Sequence, residues 1–175
     1  MSAFTVREAL PDELDAAGRI VVEAYRAHGG PSADEGEYLG EVLDARGRAR
    51  VCPVLVAVDG ESGEVLGSVS YVPGRDNAMA EIELEGEAGF RMLGVSPAAQ
   101  RRGVGEALVR ACIERALADG RQGVAICTEL DMHAARRLYE RLGFRRAPDR
   151  DFDPVPGVHL IAYLLALPAQ PVTAR

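Results

Sequence analysis

One mixed α/β domain is the fold class that the sequence predicts, and three observations predict it. Short apolar runs rich in β-branched residues alternate with segments of helical periodicity along the whole chain. No linker, internal repeat or low-complexity tract interrupts that alternation. A chain of 175 residues, 47% of them hydrophobic, also suits a single core of ordinary domain size. The predicted order is β-α-α-β-β-β-α-β-α-β-β over residues 1–167, with helices on the faces of one mixed sheet and 168–175 a loose tail.

Phe4–Leu10 holds the first strand, around Thr5 and Val6. Pro11, Asp12 and Glu13 favour a first helical turn, and Leu14, Ala17, Val21, Ala24 and Tyr25 recur at helical spacing until His28-Gly29-Gly30-Pro31. A second helix is expected from Asp34 to Arg46, with Tyr38, Leu39, Val42 and Leu43 on one side. Pro53–Val58 and Val65–Val72 read as a buried hairpin around Asp59–Gly63. Pro73–Asn77 is a loop, and Phe90–Val95 is the next strand. Gly103–Asp119 is the longest helix, closed by Gly120. Val124–Cys127 is a buried strand, Asp131 a helix N-cap, and Met132–Leu142 a helix stopped by Gly143. Phe144–Arg146 and Val158–Leu167 form a last strand pair around the Pro- and Asp-rich loop 148–157.

Composition excludes several functions. No apolar run approaches the ~20 residues of a membrane span, and the start lacks the basic and apolar regions of a signal peptide, so a cytoplasmic location is expected. Cys52, Cys112 and Cys127 are an odd number at wide spacings in apolar runs. They read as reduced core residues rather than a disulfide framework or a zinc knuckle, and no metal is expected. The net charge of −7, with no basic stripe, speaks against nucleic acid.

The most informative segment is Met92-Leu93-Gly94-Val95-Ser96-Pro97-Ala98-Ala99-Gln100-Arg101-Arg102-Gly103-Val104-Gly105. A buried strand ends at a proline, a basic turn follows, and two glycines open a long helix. Free N–H groups at a helix start form an anion site, glycines allow close backbone approach, and Arg101 and Arg102 add charge, so a phosphate cradle is expected. A Walker A loop needs a lysine that is missing here, and a dinucleotide fingerprint needs a third glycine where Leu108 stands. A glycine pair that only permits tight strand–helix packing is the competing explanation.

This segment resembles the coenzyme A signature Q/R-x-x-G-x-G/A of the GNAT superfamily of N-acetyltransferases. Further on, Ala135-Arg136-Arg137-Leu138-Tyr139-Glu140-Arg141-Leu142-Gly143-Phe144 resembles the second hallmark of that family, A-x-x-L-Y-x-x-x-G-F. The resemblance implies a mostly antiparallel, seven-stranded mixed sheet with a splayed central strand pair and about four helices. It implies acetyl-CoA as co-substrate and an amine acceptor, on a small molecule, peptide or protein, attacked directly in a ternary complex. A homodimer is left open. The backbone of Leu93, Gly94 and Val95 would meet the pantetheine. The N–H groups from Arg101 through Gly103, Val104, Gly105 and Glu106 would hold the pyrophosphate, with Arg101 and Arg102 near the adenosine phosphates.

Tyr139 matches the family tyrosine beside the thioester sulfur, where a hydroxyl can protonate the departing thiolate. It could equally fill a helix–sheet gap. The general base is less clear, because the places where relatives carry a glutamate correspond to Gly89 and Cys127. Glu81, Glu83, Glu85 and Glu87 alternate and would share one face in a strand, which makes Glu87 the nearest candidate and Glu129, just past a strand end, the second. A solvated strand edge explains the same row, and water-relayed deprotonation needs no side chain. Met132 stands where many relatives place an asparagine, and His133 reads as a solvated neighbour of the helix start. Acceptor contacts are expected around Tyr25, Tyr38 and the loop 149–157, whose carboxylates Asp149, Asp151 and Asp153, with Asp34, Glu35 and Glu37, suit a cation. A non-catalytic acyl-CoA-binding sensor is the alternative function, and Tyr139 argues against it.

Overall fold

The computed structural model describes residues 3–28 and 36–169. Eight strands form one sheet: β1 (Phe4–Glu8), β2 (Val54–Asp59), β3 (Val65–Val72), β4 (Glu87–Val95), β5 (Gly123–Glu129), β6 (Arg145–Arg146), β7 (Phe152–Val155) and β8 (Val158–Ala166). Its spatial order is β1-β2-β3-β4-β5-β8-β6, with β7 also paired to β8. Every pairing is antiparallel except that of β4 with β5. The helices are α1 (Leu14–Ala27), α2 (Gly36–Leu43), α3 (Ala45–Ala49), α4 (Val104–Ala118) and α5 (His133–Arg141).

Alternation along β2 divides the core between two faces. Leu55 and Ala57 pack with Val104, Leu108 and Cys112 of α4 and with Tyr139 of α5. Val54, Val56 and Val58 pack against Leu14 and Ala17 of α1 and Ala45 of α3. Both faces of the strand are therefore covered, and a continuous apolar run results. Two departures from the sequence expectation lie in the helices. The second helix ends at Leu43 because Asp44 turns the chain and accepts the Gly47 N–H at 2.8 Å, capping the separate α3. Helix α1 begins at Leu14, after a turn in which the Glu13 carboxylate takes the Leu10 N–H at 2.8 Å. An eighth strand, β7, lies within the loop expected between the last two strands, where Phe152 and Val155 register against β8. Residues 29–35, including Asp34 and Glu35, and 170–175 of the expected tail lie outside the described residues.

Two features open the centre of the sheet. Strands β4 and β5 pair only from Glu87–Gly123 to Gly89–Ala125, whereas β5 stays paired to β8 along its length. Farther along β4, the register against β3 steps from Ser70–Arg91 to Ser68–Gly94, so β4 carries one extra residue, and Met92 adopts φ 56°. That bulge turns the second half of β4 away from β5. On the α1 side, Gly94 admits the helix directly: a Cβ there would stand 2.7 Å from Val21 Cα.

Candidate active site

The turn after β4 is built to present backbone donors. Arg101 (φ 63°) and Gly103 (φ 79°) are both left-handed, the conformation that a short turn into a helix requires. The N–H of Ala107 is the first in this turn to reach back into the helix, at 3.0 Å from the Gly103 carbonyl oxygen. The N–H groups of Val104, Gly105 and Glu106 precede it and point toward the helix start, where an anion is favoured. Gly105 lies against the end of β4 and against α5: a Cβ there would be 3.5 Å from Val95 and 3.7 Å from Leu138. These residues fit an acyl-CoA, because the helix start with its backbone donors lies beside Val95, the last residue of β4. Arg102 is held elsewhere, 3.0 Å from the Asp59 carboxylate, while Arg101 is exposed beside the turn. The Glu106 side chain spans α4 and α5, binding Arg110 at 2.9 Å and Arg141 at 2.8 Å.

Between the parted strands lies a cleft of about 110 Å³, lined by Phe90 to Leu93 on one wall and Ile126 to Glu129 on the other. Tyr139 reaches it from α5. Its ring is fixed by Phe90 at 5.8 Å, Phe144 at 5.7 Å and Tyr163 at 6.2 Å between centroids. The glycine of the second motif explains its own spacing. Gly143 (φ 94°) ends the helix so that the Phe144 N–H returns to the Tyr139 carbonyl at 3.0 Å and brings Phe144 under the tyrosine. Burial, and after it the nearby Cys112 and Cys127 thiols, raises the Tyr139 hydroxyl above the ordinary phenol range. It therefore carries its proton at any neutral or mildly basic pH.

Across the cleft, Tyr25 from α1 and Tyr38 from α2 line the wall, both held neutral by burial. Arg48, 5% exposed, fixes α2 there: its guanidinium binds the Val42 carbonyl at 2.7 Å and Ser70 of β3 at 3.0 Å. Glu129 is a wall residue, as is Met132. Met132, not Asp131, occupies the cap position of α5, and it makes no side-chain cap hydrogen bond.

The carboxylate row departs from the sequence expectation. Residues 81–86 form bends and a turn, and β4 starts only at Glu87, so the four glutamates do not share a strand face. Glutamate and glycine disfavour strands, and Glu85-Gly86-Glu87 carries the turn, with Gly86 at φ 78°. Glu87 does not line the cleft; Arg150 binds its two carboxylate oxygens at 2.7 and 3.0 Å. Glu85 points outward to Arg75 at 3.0 Å. Glu81 and Glu83 instead enter the cleft together with Arg91 and Cys127, residues that the spacing argument passed over. Their signal was the break in strand-forming residues before Ala88. The expected acceptor carboxylates of the late loop are also engaged elsewhere: Asp151 by Arg146 at 2.7 Å, and Asp153 by His159 at 2.6 Å. Among the described residues, no group of three or more His, Cys, Asp or Glu side chains could hold a metal ion.

Comparison with known proteins agrees with this architecture. The family model described as Acetyltransferase (GNAT) family matches residues 18–144. A mycothiol acetyltransferase of Mycobacterium sp. (strain JLS) is 31% identical over 174 residues, covering 93% of this chain and 52% of the relative. The chain thus spans about half the length of that curated relative. A GCN5-related N-acetyltransferase from Kribbella flavida superposes with a TM-score of 0.68 at 26% identity, over 94% of this chain and 98% of the other. A GNAT family acetyltransferase from Brucella melitensis, solved in complex with acetyl-CoA, has the same fold, with a TM-score of 0.62 at 23% identity over 98% and 93%. With the family model covering most of its length, the chain belongs to the GNAT family of acetyltransferases.

Proposed function

We propose that the chain transfers an acetyl group from acetyl-CoA to a primary amine by direct attack in the fork between β4 and β5. The observation that carries this reading is Tyr139, a protonated hydroxyl held by three aromatic rings at the wall of the cleft between the parted strands. The backbone of Leu93, Gly94 and Val95 would meet the pantetheine, and the N–H groups of residues 101–106 its pyrophosphate. Tyr139 would donate to the departing sulfur, an interaction that strengthens only as negative charge develops there.

The balance of the step is simple. The amine nitrogen forms a bond to the thioester carbon and the carbon–sulfur bond breaks. Of the two protons an ammonium loses on becoming an amide, one goes to solvent through a base and one reaches the sulfur. Cys127, in the same cleft, is a poor alternative nucleophile, because burial and the neighbouring Glu81 and Glu83 push its thiol up. Direct attack is favoured over an acetylated enzyme on that ground. The free, buried thiols of Cys52 and Cys112 suit a reducing compartment such as the cytoplasm.

A panel of primary amines with acetyl-CoA, followed by thiol release and mass spectrometry of the amine, tests the reading. The chain contains no lysine, so acetylation of its own side-chain amines adds no background. Acceptor-dependent thiol release with a matching N-acetyl product is expected. Acetyl-CoA binding without release for any amine would favour a sensor.

A further inference from the structure

We propose that Glu81, delivered by the β3–β4 loop into the fork of the sheet, receives the acceptor as an ammonium ion and removes its proton. The inference rests on the acetyl-transfer reading above and names the base and the acceptor class for it. Its starting point is Gly89, the last β4 residue paired with β5. A methyl group placed on Gly89 would overlap Glu83 Oε1 and stand 2.6 Å from the Ala125 carbonyl oxygen. A carboxylate brought by the loop thus fills the space that a side chain at 89 would occupy.

The two loop carboxylates have different tasks. Glu83 is 8% exposed, and its Oε2 accepts the N–H groups of Glu81 at 2.7 Å and Ile82 at 3.0 Å. It is spent on holding the loop in shape. Glu81 spans the fork: Oε1 lies 2.6 Å from Arg91 of β4, and Oε2 lies 3.8 Å from Cys127 Sγ of β5. Arg91 anchors one oxygen and leaves the other facing the cleft with only a weak thiol donor. Although its backbone is exposed, the Glu81 side chain is 22% exposed.

Alternation along β4 and β5 places Arg91 and Cys127 on the same face as Gly89 and Ala125, opposite Phe90 and Ile126, which pack toward Tyr139. Glu81 and Tyr139 therefore approach the fork from opposite sides. A thioester lying in it meets a proton donor on one side and a base on the other. Burial raises the Glu81 carboxyl against the pull of Arg91, with Glu83 adding to the rise. That brings the group nearer to the working range of a base. The charged and titratable groups facing it are Arg91 from β4, Cys127 from β5, Glu83 from its own loop and Tyr38 from α2. With Glu129 also on the wall, carboxylates outnumber the one arginine, which favours a cationic amine without an acidic group beside it.

The test is the pH dependence of kcat/KM for wild type, Glu81→Gln and Gly89→Ala, with phenethylamine and phenylalanine as a matched acceptor pair in the amine panel. Glu81→Gln is expected to lose about 100-fold at pH 7 and to regain most of it by about pH 9, as free amine replaces ammonium. Gly89→Ala, which displaces Glu83 and with it the loop, is expected to fall in the same direction with acetyl-CoA affinity unchanged. The amine without the carboxylate should be the better acceptor. Glu81→Gln matching wild type at every pH would overturn the inference and leave acetyl transfer standing, as would a preference for phenylalanine for the acceptor class. Failure of wild type to acetylate any amine would overturn both readings.

Discussion

Replacing Tyr139 by phenylalanine isolates the proton donor from everything else that residue does. The ring is 5% exposed and contacts Phe90, Phe144 and Tyr163, all of which the phenylalanine preserves. Stability should therefore change little, whereas Tyr139→Ala would empty the centre of the aromatic cluster at about 3–5 kcal/mol. What phenylalanine loses is a hydrogen bond to a developing thiolate. Hydrogen bonds to charged groups contribute about 1.5–3 kcal/mol, which lowers kcat by roughly 10- to 150-fold. Because the interaction forms in the transition state, the KM for acetyl-CoA should hold while kcat falls. The raised hydroxyl also means that Tyr139 contributes no limb to the wild-type pH profile below the ordinary phenol range. Initial rates of thiol release at saturating acetyl-CoA measure the effect. A phenylalanine variant with wild-type kcat would refute the assignment and leave sulfur protonation to water.

Three further predictions concern the cradle and the ion pairs. Valine at both Gly103 and Gly105 should weaken CoA binding at least tenfold by calorimetry, since Gly103 needs φ 79° and Gly105 borders β4 and α5; undiminished affinity in a folded variant would move the site. Glu87→Gln removes one side of the two-point pair with Arg150 and should cost about 1–3 kcal/mol in denaturant unfolding; lost turnover at unchanged stability would return Glu87 to the chemistry. Asp151, lowered to about 2 chiefly by Arg146, stabilises the fold fully above its unfolded value near ~3.9 and loses that contribution as pH falls toward about 2. Asp151→Asn should flatten stability in that acid window, and an unchanged acid transition would contradict the pairing.

Much of the fold was legible because the signals are local. The continuous apolar run of β2, the glycines at 103, 120 and 143 and the helical spacing of α4 and α5 mark their elements directly. The fork was legible only through the family resemblance. Nothing local announces that β4 and β5 part after Gly89 and Ala125, since the parting goes with a bulge in β4 that only the pairing with β3 reveals. The glutamate row was misplaced for the same reason. An alternating glutamate row satisfies strand periodicity, but without a partner strand it turns, sending Glu81 inward and tying Glu87 to Arg150, 63 residues away. Tyr25 and Tyr38, expected as acceptor contacts, line the cleft wall because α1 and α2 present one apolar face each.

Initial-velocity kinetics with acetyl-CoA and an accepted amine both varied, read beside the intact mass of the enzyme, test the central claim most directly. Direct attack within the fork predicts intersecting double-reciprocal lines and no acetylated enzyme when acetyl-CoA is added alone. Parallel lines with an acetyl group trapped on Cys127 would contradict it.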